Sequence, residues 1–500
     1  MAVRSRAQVG MGSPLVTVET HIGGGLPRFT LVGLPEAAVR EARDRVRSAL
    51  ENNGFEFPDG RVVVNLAPAD LAKQGARFDL AIAISLLAAS GQVPAEHLSR
   101  FEFLAELGLY GALRHTRGVL PAALALADSR TVLVIPDANR REAELVNTHV
   151  LAPCQSLSDV VALVRRPDMA VHVAGGSTTG AEDSATDFLA LVKGHETAKR
   201  ALQVAATGGH HFLMVGPPGT GKTMLARSVV NLLPALSESQ ALEVAAVYSS
   251  AGLLRDSYHR VPFRDPHHSA SAPSIVGGGQ VAMPGEASLA HHGVLFLDEM
   301  PHFQPAVLNL LREPLESQQA TIARANYRVV FPARFQLIAA MNPCPAGRVC
   351  AEGRCRCTPR QVRGYQARVS GPLLDRIDMQ LWLPNLTREL LADRSLPASN
   401  TSALAEEVAA ARTRQLHRQG RLNGHLSGPV AAERARMDSA AEALLTQAID
   451  RYHLSARSFH KVIKVGLTIG DLEAADTMTA AHIAEALSYR AVDWEAMVGQ

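Results

Sequence analysis

The residues with the clearest chemical content are Gly216-Pro217-Pro218-Gly219-Thr220-Gly221-Lys222-Thr223. An apolar run, Phe212–Val215, precedes them, and residues 224–230 follow with helical spacing. A buried strand, a glycine-rich turn and a helix in that order form a phosphate cradle. The glycines let the backbone turn tightly, so successive N–H groups point at phosphate oxygens, and the helix N-terminus adds its positive dipole end. In such a cradle Lys222 reaches the β- and γ-phosphates and the Thr223 hydroxyl ligates Mg²⁺. All eight residues are therefore expected to hold ATP, with Mg²⁺ beside it.

Two further strand ends carry groups that such a cradle needs. Residues 294–299 read as a buried strand ending in Asp298 and Glu299. Asp298 is placed to hold the Mg²⁺ that bridges the β- and γ-phosphates, and Glu299 to polarise the attacking water. Residues 334–340 read as a third buried strand, ending at Asn342, whose amide orients the water beside the γ-phosphate. Together the three elements resemble the AAA+ ATPases. Ser370-Gly-Pro-Leu-Leu-Asp-Arg376-Ile-Asp378 matches the segment of that family that carries an arginine finger. The resemblance implies that Arg376 reaches into a neighbour's site; the alternative is a salt bridge to Asp375 or Asp378.

Four of the five cysteines, Cys344, Cys350, Cys355 and Cys357, follow Asn342 closely. Four thiolates complete a tetrahedral Zn²⁺ shell, although the usual paired C-x2-C spacing is absent. The two readings are a zinc clip and four reduced thiols, with His417 or His425 open as extra ligands. Arginines 348, 354, 356, 360, 363 and 368 surround the cluster against one acid, Glu352. Such a loop is suited to a phosphate backbone, or is simply solvated. The pairs His210-His211 and His291-His292 are read as structural, because neighbouring side chains diverge on a strand. His267-His268 lies in a long insertion and is the pair with a functional reading, without a metal.

These groups need elements to position them, and 500 residues with 47% hydrophobic content provide two to four domains. A net charge of +2 gives no global basic field. No apolar run approaches a membrane span, and there is no apolar signal core, so a cytoplasmic chain without a membrane partner is expected. Residues 1–165 read as α+β: strands at 15–21, 29–32, 61–66 and 132–135, helices at 36–53, 80–89, 119–127 and 156–164. Residues 101–107 and 109–114 are expected to pair around Gly108. Residues 166–187 read as a linker and 188–385 as an α/β nucleotide domain with a parallel sheet, entered by a helix at 191–206. A hairpin with Arg324 and Arg328 is expected at 321–331. Residues 386–500 read as a helical lid with helices at 403–419, 440–453, 458–469 and 480–491. The arginine-rich stretch 412–436 faces DNA or is a solvated helix face.

Residues 103–114 and 118–125, with Lys73-Gln-Gly-Ala-Arg77-Phe-Asp79, resemble the core of the Lon protease domain. That family's serine should fall near Arg77 and its lysine near Leu120, and neither is present, so the dyad chemistry is not expected. The remaining readings are an assembly or DNA-handling platform and a purely structural domain. The layout of the insertions is similar to the AAA+ branch of magnesium-chelatase motors and MCM helicases. With Gly33-Leu-Pro35, Val64–Leu71 and Leu373–Asp378, the chain as a whole resembles the YifB/ComM family over essentially its full length. The resemblance implies a Lon-like domain, an AAA+ core and a helical lid. It also implies a homo-hexameric ring acting on single-stranded or branched DNA, with branch migration in recombination or natural transformation as the task. ATP is the one small-molecule substrate expected. It further implies a second sensor arginine, for which Arg457 is the candidate, contacting the γ-phosphate in cis, with Arg451 second. The rival readings are a chelatase-type motor on a protein or metal-insertion partner and an ATP-dependent protease.

Overall fold

The structure of the chain, a computed structural model, describes residues 1–33, 41–71, 73–146, 151–169, 186–255, 257–279, 282–324, 327–347, 355, 357–385, 400–452 and 454–490. Among these residues two large sheets organise the chain.

The N-terminal part contains β1 (Ala2–Arg6), β2 (Leu15–Gly23), β3 (Arg28–Val32), α1 (Ala42–Asn52), β4 (Arg61–Ala67), α2 (Asp79–Ala89), β5 (Phe101–Phe103), α3 (Val119–Leu124), β6 (Val132–Pro136), β7 (Leu151–Cys154) and α4 (Leu157–Arg165). The seven strands lie in the order β3-β4-β2-β1-β5-β6-β7. β2 and β4 alternate, burying Val16, Val18 and Thr20, and Val62, Val64 and Leu66, as strands with one face on a core must. α2 is buried along almost its whole length under that face. One expectation is corrected here. β5 does not pair around Gly108 but runs parallel between β1 and β6. Only Glu106–Leu107 pairs with Leu113–Arg114. The reason is burial: Phe101 and Phe103 are fully enclosed, which a central strand provides and a two-stranded ribbon does not. The helix expected over 36–53 is described over Ala42–Asn52, since 34–40 lie outside the described residues, as do 170–185 of the linker.

The second part begins with a short helix, Phe188–Leu191, then α5 (Glu196–Gly208). The single helix expected over 191–206 is broken because Gly194 and His195 take left-handed φ values of 61° and 56°. There follow β8 (Phe212–Val215), α6 (Lys222–Leu232), α7 (Glu238–Ala251), β9 (Phe263–Arg264), β10 (Val294–Leu297), α8 (Arg312–Ser317), β11 (Gln319–Arg324), β12 (Tyr327–Pro332), β13 (Gln336–Met341) and β14 (Met379–Trp382). The sheet order is β9-β10-β13-β8-β14, and every neighbouring pair is parallel. Parallel strands are covered on both faces and read as continuous apolar runs. In β8, Phe212 and Met214 face α5 and the lid, while Leu213 and Val215 face the opposite core. β11 and β12 form a separate antiparallel hairpin.

The C-terminal helices are α9 (Thr401–Gln419), α10 (Gly428–Arg434), α11 (Ser439–Tyr452), α12 (Ala456–Leu472) and α13 (Ala480–Ser488). α10 was not expected; it starts on Gly428-Pro429, a breaker pair in which the proline takes the first helical turn. The chain is thus a mixed α/β protein with a parallel nucleotide sheet, a Lon-like sheet domain before it and a helical region after it. No helix among the described residues is long and apolar enough to cross a membrane.

Candidate nucleotide site

Every turn of the phosphate loop is set by glycine. Gly221 caps α6 at φ 81°, a region that costs an L-residue about 1–2 kcal/mol. A Cβ on Gly216 would lie 2.5 Å from the Leu383 carbonyl oxygen, so only glycine lets β8 pass that close to the end of β14. The loop lies at the carboxyl ends of the parallel strands, where open α/β sheets bind ligands. Lys222 Nζ donates to the carbonyls of Gly216 (2.8 Å) and Pro217 (2.7 Å) and to Asn342 Oδ1 (3.2 Å). Burial holds its pKa below the usual lysine range, against the pull of Asp298 and Glu299. Thr223 Oγ1 donates to Asp298 Oδ2 at 2.7 Å, and Asp298 Oδ1 accepts from the Glu299 N–H at 2.9 Å. A hydroxyl and a carboxylate at that spacing form the oxygen donor set that Mg²⁺ takes. The ammonium beside them, now satisfied by carbonyls, is free to exchange them for phosphate oxygens. The residues present therefore fit MgATP. Thr220 Oγ1 is spent on the Pro217 carbonyl at 3.0 Å.

Glu299 stands at φ 50°, and its side chain is about half exposed. His268 Nδ1 lies 3.9 Å from Glu299 Oε2. His267-His268, expected in a long insertion, instead follows β9, a strand of the nucleotide sheet itself. Asp265 pairs with Arg227 at 3.3 Å. The rings of His267, His268, His302 and Tyr365 continue in a chain, each within 6 Å of the next. Burial pushes the Tyr365 phenol up to about 12, with the Asn342 backbone and Glu299 nearby. His268 and Tyr365 are site-lining groups that sequence reasoning did not gather. The His-His pair was visible, but a two-residue strand is too short to announce itself.

Arg376 and Arg457 share one partner. Arg376 Nη2 meets Glu316 Oε1 at 2.5 Å, and Arg457 Nη2 approaches the same oxygen at 3.5 Å. Glu316 stands on α8, so Arg376 uses neither Asp375 nor Asp378. Asp378 instead receives His210 at 3.3 Å and Lys461 at 3.7 Å. Arg451 stacks over Tyr452 at 5.7 Å.

The His291-His292 pair does not diverge. His292 takes φ 55°, which turns both rings to one side. Each Nε2 reaches Glu243 Oε2 on α7, at 3.0 and 2.8 Å. His291 Nδ1 accepts the Arg334 N–H at 3.0 Å, so its proton sits on Nε2 and is donated to Glu243. A metal-bound histidine shows the reverse, a protonated second nitrogen donating outward. This cluster is a hydrogen-bonded strut.

Cys344 Sγ lies 3.5 Å from Cys355 Sγ and 3.9 Å from Cys357 Sγ, and the three sulfurs fall within 4.8 Å of one another. A tetrahedral thiolate shell with Zn–S of ~2.3 Å has edges of ~3.8 Å, so the donors fit zinc. They are far beyond the ~2.05 Å of a disulfide. Cys350, Arg348, Glu352, Arg354 and Arg356 lie outside the described residues. The cysteine loop rests on the phosphate loop, since a Cβ on Gly347 would lie 3.1 Å from Pro218.

In the Lon-like region Arg77 and Leu120 are buried. Arg77 Nη2 donates to the Arg117 carbonyl at 2.7 Å, so a guanidinium fills the place where a serine would be needed.

Sequence profiles match the chain in three successive stretches. That described as "Subunit ChlI of Mg-chelatase" spans residues 18–139, "Magnesium chelatase, subunit ChlI" spans 188–391, and "Magnesium chelatase, subunit ChlI C-terminal" spans 398–490. The chain is 45% identical over 495 residues to the competence protein ComM of Haemophilus influenzae, covering 98% of this chain and 97% of that one. It is 44% identical over 502 residues to the protein YifB of Escherichia coli, with the same coverage. A shorter likeness, 30% over 146 residues, links 27% of it to 26% of Lon protease 2 of Bacillus subtilis.

Proposed function

We propose that this chain, which belongs to the YifB/ComM family of magnesium-chelatase-like AAA+ ATPases, is a ring motor that hydrolyses ATP to move on or remodel DNA. The observation that carries the reading is a division of labour. One subunit gathers Lys222, Thr223, Asp298 and Asn342 at the loop 216–223, while Arg376 and Arg457 both pair with Glu316 and with none of these groups. A cradle whose charge-stabilising arginines are paired with another carboxylate is one that a neighbouring copy completes, most simply in a hexamer. Lys222 and the loop N–H groups bind the phosphates. Thr223 and Asp298 would hold Mg²⁺, which when bound would supply charge neutralisation for the phosphates. Glu299 and Asn342 orient the attacking water, with His268 beside Glu299. Arg376 stabilises the transition state across the interface, and Arg457 is grouped with it rather than with Lys222.

DNA is the proposed track. The loop around residues 344–368 is basic, the hairpin β11–β12 stands off the sheet with Arg328 on its second strand, and the relative ComM is named for competence. The finer reading is branch migration in recombination or natural transformation, in the cytoplasm. Cys344, Cys355 and Cys357, with Cys350, would hold Zn²⁺ as a clip on this loop. The test is ATP turnover with and without single-stranded and forked DNA, with strand displacement measured alongside. DNA-stimulated turnover and displacement are expected; absence of both DNA stimulation and DNA binding at low salt removes the reading. The chelatase profiles favour, as a second reading, a motor on a protein or metal-insertion partner, and DNA-independent turnover would support it. Proteolysis is opposed by buried Arg77 and Leu120.

A further inference from the structure

We infer that Glu316 is a positioning residue that ties the hairpin β11–β12 to the nucleotide state of the neighbouring subunit. The inference rests on the reading of Arg376 as a contact to a neighbour's ATP. Arg376 is not poised outward. Its side chain is only 11% exposed, with Nη1 on the Pro372 carbonyl and Nη2 on Glu316, each at 2.5 Å. Arg457, on the first turn of α12, shares that carboxylate oxygen. One oxygen between two guanidiniums is a competition that a phosphate, with more charge and more acceptors, wins. When the neighbour's ATP takes Arg376, Glu316 loses its closest partner.

What Glu316 is attached to gives this exchange a consequence. It is the next-to-last residue of α8, and β11 starts at Gln319. Ser317 Oγ bridges the Glu313 and Gln319 carbonyls at 2.9 and 3.0 Å. Gln318, at φ 59°, receives the Ala333 N–H at 2.8 Å on its carbonyl and reaches His425 Nδ1 with its side chain at 3.2 Å. Both ends of the hairpin are thus fastened within two residues of Glu316. The hairpin itself packs on Met11 of the N-terminal part, through Ile322, Val329 and Phe331. A change at Glu316 has a short and stiff route to the hairpin.

Backbone hydrogen exchange over residues 319–332 tests this in the full-length chain, with and without a slowly hydrolysed ATP analogue. The parent should change its hairpin exchange about two- to fivefold on adding the analogue, the range of a half-exposed ion pair. Glu316→Gln should lose that response while keeping its nucleotide-free melting temperature, and Glu316→Asp should restore part of it. A parent hairpin indifferent to the analogue overturns the inference, as does a Glu316→Gln chain that responds like the parent. Failure of the motor reading is separable: it shows as absent DNA stimulation in the parent, and full turnover in Arg376→Ala removes the trans role. The exchange response of Glu316→Gln is read independently of both.

Discussion

Asp298 and Glu299 are adjacent in sequence and proposed for different roles, and backbone conformation separates them. Asp298 is pinned by Thr223 and the next N–H, whereas Glu299, at φ 50°, is about half exposed with His268 Nδ1 3.9 Å away. Glu299→Gln should therefore bind ATP as the parent does and lower turnover by about 10²–10⁴-fold, the usual worth of a general base. Nucleotide binding and ATPase rate, measured together, check this. His291 allows a pH prediction. Burial lowers its pKa from the ordinary value to about 4, against the opposing pull of Glu243 and with His292 and Arg334 adding to the fall. The unfolded chain takes up this proton below pH ~6.5 and the folded chain does not until about pH 4. The stabilisation is therefore fully present above pH ~6.5 and is lost as the pH falls towards 4. Denaturant unfolding at pH 7.5 and pH 5 should show a loss that His291→Gln reduces by on the order of 2 kcal/mol.

At the scale of elements, the phosphate loop is held by its contacts to two neighbours, β14 and the cysteine loop. Gly216→Ala would press a methyl against the Leu383 carbonyl. Overpacking of this kind costs about 1–3 kcal/mol, and here it displaces the loop itself. Weaker ATP binding is expected, with a lowered melting temperature that saturating ATP does not restore. The cysteine loop touches the same motif from the other side, through Gly347 and Pro218. Cys344→Ser is expected to abolish bound zinc, measured by elemental analysis of the purified chain. An equal zinc content in parent and variant, or none in the parent, leaves the thiol reading instead. Sequence periodicity located many elements, because α2, β8, β10 and β13 are apolar along almost their whole length. It did not place β1, β7, α7, α8, β9, β14 or α10, most of which are too short to carry a period. It also misassigned β5, whose two phenylalanines suit a hairpin as well as a central strand until the neighbours are known.

At the scale of the molecule, the N-terminal part is not a loose appendage. The Gly118 N–H donates to the Ser249 carbonyl at 2.8 Å, and Gln8 Nε2 to the Ser250 carbonyl at 3.1 Å. One hydrophobic cluster joins Leu120 and Leu133 to Val244 and Val247 of α7. On the other side, Lys461 of α12 donates to the Ile377 carbonyl at 2.9 Å, so the lid is fastened to the Arg376 segment. The hairpin thus meets the N-terminal part along its body, and the lid and the arginine pair at its foot. If the active site is shared between copies, Lys222→Ala and Arg376→Ala chains should each be inactive, and mixing them should restore a measurable fraction of turnover. Mixtures no more active than either variant alone would place Arg376 outside the chemistry.

The sequence by itself determined the chemistry at the cradle. Spacing within eight residues and the identity of a strand's last residues are local properties, so Lys222, Thr223, Asp298 and Asn342 could be assembled on paper. Family likeness carried the rest of the site, Arg376 and Arg457 among it, because their meaning depends on what lies opposite them. Only the tertiary structure decided that both arginines meet Glu316 and that His268 turns towards Glu299. It also decided that His291 and His292 converge on Glu243. Each of these contacts joins residues tens of positions apart, or depends on a left-handed φ at one of them. Neither composition nor periodicity registers long-range pairing or a single backbone reversal, and packing registers both.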